Sequence, residues 1–217
     1  KENGFESRFD SLKKINQNYN PDNIYLGKTR MISSQQNLND FDIKDFNIVI
    51  IGDSHGEDLF NALNLNRNLF YDMKFYFIGD FLSDKLDDDI SNNEKFLKQA
   101  NAIIISYRWD DFKFNLLEES IRKIRDLNQK IFITSRTNEY KVPSKLYTLL
   151  DYEILFNKDK NIDYFGLKNL YFKNRIINSN SNINQKLKKF SSENNLTYLN
   201  KEDYMCDLPN KECDYVD

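Results

Sequence analysis

The chain is poor in the residues from which several familiar kinds of site are built. Its only histidine is His55 and its only cysteines are Cys206 and Cys213. A zinc centre would need ligands from positions far apart in the chain, so no metal site is expected. No stretch of about 18 apolar residues occurs, so neither a membrane span nor a secretory leader is expected within these residues. Long runs of Lys or Arg are also missing. With 31 basic against 34 acidic side chains, a net charge of -3, nothing resembles a phosphate-tracking stripe, and nucleic acid is not an expected partner. The chain starts at Lys1 rather than Met, and we expect a piece of a longer protein.

What is present is the material of a globular core. Hydrophobic residues make up 40% and charged ones 30% of 217 residues, and 17 Phe and 13 Tyr supply apolar area enough to exclude disorder throughout. Residues 1–45 are polar and irregular, apart from helical spacing of Phe5, Phe9, Leu12 and Ile15, and read as a leader or linker packing on a single domain at 46–217.

From Asn47 onward strands and helices alternate. Asn47–Gly52 is a short β-branched run ending in glycine, followed by helical character over Glu57–Leu65. Lys74–Gly79, Ala102–Ser106, Ile131–Thr134 and Leu196–Leu199 read as further strands, and Ser91–Ala100, Phe114–Leu127 and Asn182–Glu193 as helices. A short helix is expected at Ser144–Leu150, and Tyr152–Phe172 has no secure assignment. In the helix near Phe114–Leu127, Leu117, Ile121, Ile124 and Leu127 form the inward stripe, with Glu118, Glu119, Arg122, Lys123 and Arg125 on solvated positions. Such alternation predicts an α/β fold, a parallel sheet covered on both faces in a three-layer α/β/α sandwich.

Sites in parallel sheets form where strand ends meet helix starts, and Gly52-Asp53-Ser54-His55-Gly56 stands at such a junction. Ser54 at a helix start, beside free amides and the positive end of the dipole, suits a nucleophile whose intermediate carries an oxyanion. The plain alternative is that Ser54 or Asp53 only caps the helix. Gly-Asp-Ser directly after a first buried strand resembles the first motif of the SGNH (GDSL) hydrolase superfamily, whose fold is flavodoxin-like. The form Gly-Asp-Ser-His resembles the SGNH domains attached to bacterial acyltransferase-3 membrane proteins. The segment Ala100–Trp109, ending Ser-Tyr-Arg-Trp, resembles the strand of the same subfamily.

That resemblance implies roles residue by residue. Ser54 is the catalytic nucleophile. Arg108 takes the position at which ordinary family members carry an oxyanion-binding Asn, and would support the oxyanion or a substrate carboxylate, or else only form a salt bridge. Gly79, in Phe77-Ile78-Gly79-Asp80, is the candidate for a second oxyanion-hole amide, though glycine at a strand end is also ordinary turn chemistry. Asp53, His55 and Trp109 lie near the site, Trp109 being equally readable as core.

The chain departs from the family in lacking a late Asp-x-x-His motif, the source of the base and its orienting carboxylate. His55 is adjacent to Ser54, and neighbours at a helix start do not face one another, so it is not the expected base. The Asp-His pair is expected after Asp217 in the parent protein, or else lost. The Cys206–Cys213 spacing around Pro209 and Asn210 allows a small disulfide loop or two free thiols. The extracytoplasmic location implied by the resemblance favours the disulfide.

The function implied is transfer of an acyl group, acetyl in the first instance, to hydroxyls of a cell-surface glycan at the periplasmic face of a bacterial inner membrane. The acyl donor would be delivered by a membrane acyltransferase domain to which this segment is tethered, with no cofactor. The rival readings are a glycan O-acetyl esterase and a non-catalytic glycan-binding or docking module.

Overall fold

In the computed structural model the described residues are 36, 41–79, 82, 86–128, 130–137, 140–141, 164–175, 177–207 and 209–213. The helix expected at 5–15 and the one expected at 144–150 lie outside them. The described residues fall into two compact units, one from 29–137 with 181–200, the other from 138–180 with 201–217.

The first unit holds a five-stranded sheet. Its elements are β1 (Phe46–Gly52), α1 (Ser54–Leu65), a 3-10 turn (Arg67–Leu69), β2 (Met73–Gly79), α2 (Leu86–Gln99), β3 (Ala102–Ser106), α3 (Asp111–Arg125) and β4 (Ile131–Thr134). After β4 come α4 (Tyr164–Asn174), in the second unit, α5 (Ile177–Glu193) and β5 (Thr197–Leu199), which completes the sheet. All strand pairs are parallel, in the order β2-β1-β3-β4-β5. The fold is therefore α/β with a parallel sheet.

The side-chain period of two explains the layers. Val49 and Ile51 of β1 join one core cluster with Ile103 and Ile105 of β3 and Leu97, Leu117, Ile121, Ile124, Ile183 and Leu187 of α2, α3 and α5. Ile50, with Ile48 and Ile104 beside it, faces the other way onto Phe60, Leu59 and Leu63 of α1. Each fully buried aliphatic side chain here contributes roughly 1.5–3 kcal/mol. Placing α1 opposite the other helices is what right-handed crossovers require, because the chain moves one way from β1 to β2 and the other way from β2 to β3. The inward stripe expected on α3 is buried at Leu117, Ile121 and Ile124, with Leu127 half-buried.

The second unit is described from Tyr140 onward. Here α4 carries Tyr171, fully buried and packed edge-on against Tyr140 with ring centroids 4.7 Å apart. After β5, α6 (Glu202–Met205) leads into a hairpin of β6 (Cys206–Asp207) and β7 (Glu212–Cys213). Cys206 is disulfide-bonded, and the antiparallel register sets it opposite Cys213, the chain's only other cysteine. Asp207 closes the turn by accepting from the backbone N–H of Asn210 at 3.1 Å and its Nδ2 at 2.7 Å. Those donors hold its carboxyl below the usual range.

Candidate active site

The junction after β1 is built by close approach. A Cβ on Gly52 would lie 2.0 Å from the Ser106 carbonyl oxygen and 2.7 Å from the Gly56 Cα, and one on Gly56 would lie 2.8 Å from the same Ser106 oxygen. No described glycine has a positive φ, so the pair is needed for space rather than for turn conformation. Two glycines four apart let α1 start against the end of β3.

Asp53 is the N-cap of α1, in extended backbone at φ -84° and ψ -154°. Its carbonyl accepts from the N–H groups of Gly56 and Glu57, each at 2.9 Å. Its carboxylate accepts from His55 N at 2.9 Å and reaches across to Arg108 N, at 3.1 Å from Oδ1 and 3.0 Å from Oδ2. One carboxylate thus ties the turn after β1 to the exit of β3. Capping is Asp53's part, which leaves Ser54 as the first helical residue, exposed, its N–H among the first-turn amides that have no partner within the helix. Among the described residues no side chain hydrogen-bonds Ser54 Oγ.

The exit of β3 alternates buried and exposed side chains. Tyr107 and Trp109 are fully buried, 5.4 Å apart between ring centroids, whereas Arg108 between them is exposed. Tyr107 OH accepts from Leu82 N at 3.0 Å and Trp109 Nε1 donates to the Thr134 carbonyl at 2.8 Å. The two rings anchor the segment, and Arg108 is displayed by them. Trp109 is accordingly core rather than a surface group of the site. Asp110 then caps α3, accepting from Lys113 N at 2.8 Å.

In the strand order β2-β1-β3-β4-β5 the direction of winding reverses between β1 and β3. Ligands of open parallel sheets bind in the crevice outside the strand carboxyl ends at that reversal. Ser54 follows β1 and Arg108 follows β3, so the two flank it. Phe112, 61% exposed in the first turn of α3, adds an apolar side chain at the same end of the sheet.

Gly79 ends β2, in register with Gly52 and exposed. Phe77 two residues earlier donates its N–H to Gln36 Oε1 at 2.7 Å and accepts from Gln36 Nε2 at 2.5 Å, on the side away from β1. Alternation along the strand turns the Gly79 N–H the same way, so it is not aimed across β1 toward Ser54. The Ser54 N–H is the better-oriented donor for an oxyanion at Ser54.

His55 is half-buried, with Nδ1 3.2 Å from Thr137 Oγ1, just beyond β4. Its ring is therefore held toward β4. Sequence reasoning missed Thr137 and gave Gly56 no role of its own. The Gly-x-x-x-Gly spacing could have marked Gly56, but the contact with Thr137 depends on the order of the strands. Among the described residues, no group of three His, Cys, Asp or Glu could hold a metal ion.

No family model and no curated protein matches the chain. Among solved structures, a GDSL-like lipase from Bacteroides thetaiotaomicron is similar over 88% of this chain and 84% of its own, at 10% sequence identity and a TM-score of 0.45.

Proposed function

We propose that this chain processes acyl esters through Ser54, and that its biological reaction is transfer of an acyl group to a sugar hydroxyl of a cell-surface glycan. The observation that carries the reading is an exposed serine hydroxyl on the first residue of α1, at the β1/β3 reversal, with its turn locked by Asp53. In the first half-reaction Ser54 Oγ bonds to the acyl carbon, its proton passes to solvent because no side-chain base lies within hydrogen-bond reach among the described residues, and the donor's alcohol or thiol leaves. The Ser54 N–H stabilises the tetrahedral oxyanion, aided by the positive end of α1. In the second, a sugar hydroxyl attacks the acyl-serine and Ser54 is regenerated.

The glycan acceptor, the acetyl group, delivery by a membrane acyltransferase domain and the periplasmic location rest on the resemblance of Gly52–Gly56 and Ala100–Trp109 to acyltransferase-3 SGNH domains. With water as acceptor the same site is an esterase. The test is acetyl transfer from an activated acetyl ester to an oligosaccharide, followed by mass spectrometry. Wild type should acetylate the sugar only slowly, for want of a base at Ser54, and Ser54→Ala not at all; slow release of acetate alone, lost in Ser54→Ala, would make it an esterase.

A second reading, a glycan-binding module without turnover, is favoured by one fact. The chain's only imidazole bonds Thr137, and among the described residues Ser54 Oγ has no base within hydrogen-bond reach. Glycan binding that survives Ser54→Ala, with no ester cleavage by wild type, would establish that reading.

A further inference from the structure

The opposite end of the same sheet has a different character. Seven large hydrophobic side chains are exposed among the described residues, and six of them, Ile43, Phe46, Leu65, Leu69, Tyr71 and Met73, are borne on 43–46 and 65–73. Topology brings these two segments together. The first enters β1, while the second ends α1, makes the 3-10 turn and enters β2, whose Met73 is in register with Phe46. They surround a cleft of about 410 Å³ lined in part by Phe46, Phe70, Tyr71 and Met73.

We propose that this amino-terminal end of the sheet is a contact surface for a second copy of the chain. Three physical arguments select that occupant. The first is area. At exposures of 67% for Ile43, 68% for Leu69 and 90% for Tyr71, with the other three between 39% and 54%, the six side chains leave a large apolar surface. It is on the order of 600 Å², taking ~150–250 Å² for a large side chain, near the upper end for a monomer and approaching the ~800 Å² per partner of a standard interface.

The second is charge. Within 42–46 and 65–74, Lys44, Arg67 and Lys74 stand beside Asp42, Asp45 and Asp72, equal numbers of each sign in these two segments. Lys74 pairs internally with Asp45 at 2.5 Å, while the side chains of Arg67 and Asp72 have no partner among the described residues. A balanced surface has no net attraction for a polyanion or an anionic bilayer. Under a twofold axis such a surface can set a cation of one copy against a carboxylate of the other. The third is backbone. β2 is the sheet edge, Gln36 satisfies Phe77, and the Met73 N–H bonds the Phe70 carbonyl. Phe75 between them turns its N–H and C=O to the same open side, with no partner among the described residues.

The dimer is a weak one, because the apolar area is somewhat below standard size. Sedimentation equilibrium of the chain over about 1–200 µM should give an average mass rising from 26.0 kDa toward twice that value. The double variant Leu69→Glu with Tyr71→Glu should stay at the monomer mass, at least ~10-fold weaker in association, while melting with wild type since both side chains are exposed. Should the double variant fail to fold, Tyr71→Ser alone keeps the test, with a smaller shift in the same direction. A wild type that is monomeric throughout, or variants that associate as wild type does, overturns the proposal. So does a monomer that sediments with phosphatidylglycerol vesicles in a Leu69- and Tyr71-dependent way, which would make the occupant a lipid surface.

Discussion

The two ends of one sheet are held by different physics. At the carboxyl end the chain turns are fixed by close backbone approach and charge-assisted hydrogen bonds: Gly52 and Gly56 against the Ser106 carbonyl, and Asp53 accepting from His55 and Arg108. At the amino end the described segments expose apolar side chains and enclose a cleft. The first arrangement spends its polar contacts on holding a few atoms in place, as a reacting group needs, and the second leaves apolar area uncovered, as a contact surface needs. Substitutions should therefore differ in kind between the ends.

The largest effect is expected at Gly52. A methyl group there meets the Ser106 carbonyl oxygen 2.0 Å away, with backbone on both sides and no flexible side chain to yield. Gly52→Ala should lose roughly 3 kcal/mol of stability in urea unfolding. Gly79→Ala, whose nearest neighbour is the Phe77 ring at 3.6 Å, should melt close to wild type. Equal losses in the two variants would mean that close approach is not what Gly52 serves.

Next is Asp53→Ala, which removes the α1 cap and the acceptor shared by His55 and Arg108, and should cost about 2 kcal/mol. Amide hydrogen exchange provides a local check: the Arg108 N–H should lose protection more than the N–H groups of β3.

A smaller change of opposite sign is expected in the interior of α1. Asn61 is 1% exposed and neither its Oδ1 nor its Nδ2 has a hydrogen-bond partner. Asn61→Leu should raise stability by about 1 kcal/mol in thermal unfolding, since an unpaired buried amide costs more than an apolar side chain of the same branching. Destabilisation would contradict this expectation, and would follow from a bridging water or from too tight a fit around the larger side chain. The smallest effect belongs to the exposed end, where Tyr71→Ser should leave the melting temperature at low concentration unchanged.

Much of the fold was legible because the strands are short, β-branched and fully buried. Ala102–Ser106 and Ile131–Thr134 are found with the limits read from sequence. Helix starts were read late for a physical reason. At Ser54 the polar Ser-His-Gly opening carries no apolar period, and at Leu86 the run Asp87-Asp88-Asp89 looks like a loop although acids in a first turn suit the helix dipole. The stretch Tyr152–Phe172, part of which forms α4, has no secure assignment because its apolar residues do not recur with the period that a single buried face gives. The hairpin at Cys206–Cys213 was suggested only by its turn residues.

For the candidate site, Ser54 is singled out by Gly-Asp-Ser after a buried strand, and Arg108 by the resemblance of Ala100–Trp109 to a family strand. What joins them could not be read. The bond from Arg108 N to Asp53 spans 55 positions, and the His55–Thr137 contact spans 82. Both exist only because β1 and β3 are neighbours, with β4 beyond. The same dependence on strand order governs Gly79, where a glycine at a strand end was visible but the direction of its N–H was not.

The most direct test of the central claim is covalent labelling of Ser54. A fluorophosphonate reacts by bonding its phosphorus to a serine oxygen with loss of fluoride, and needs the hydroxyl exposed and the oxyanion donors in place. The chain should be labelled slowly and at one position, and peptide mapping should find the phosphonyl group on Ser54. Ser54→Ala should take up none, and His55→Ala should be labelled at about the wild-type rate, since the His55 ring is engaged by Thr137. Labelling undiminished in Ser54→Ala, or no labelling of the folded wild type, would contradict the account.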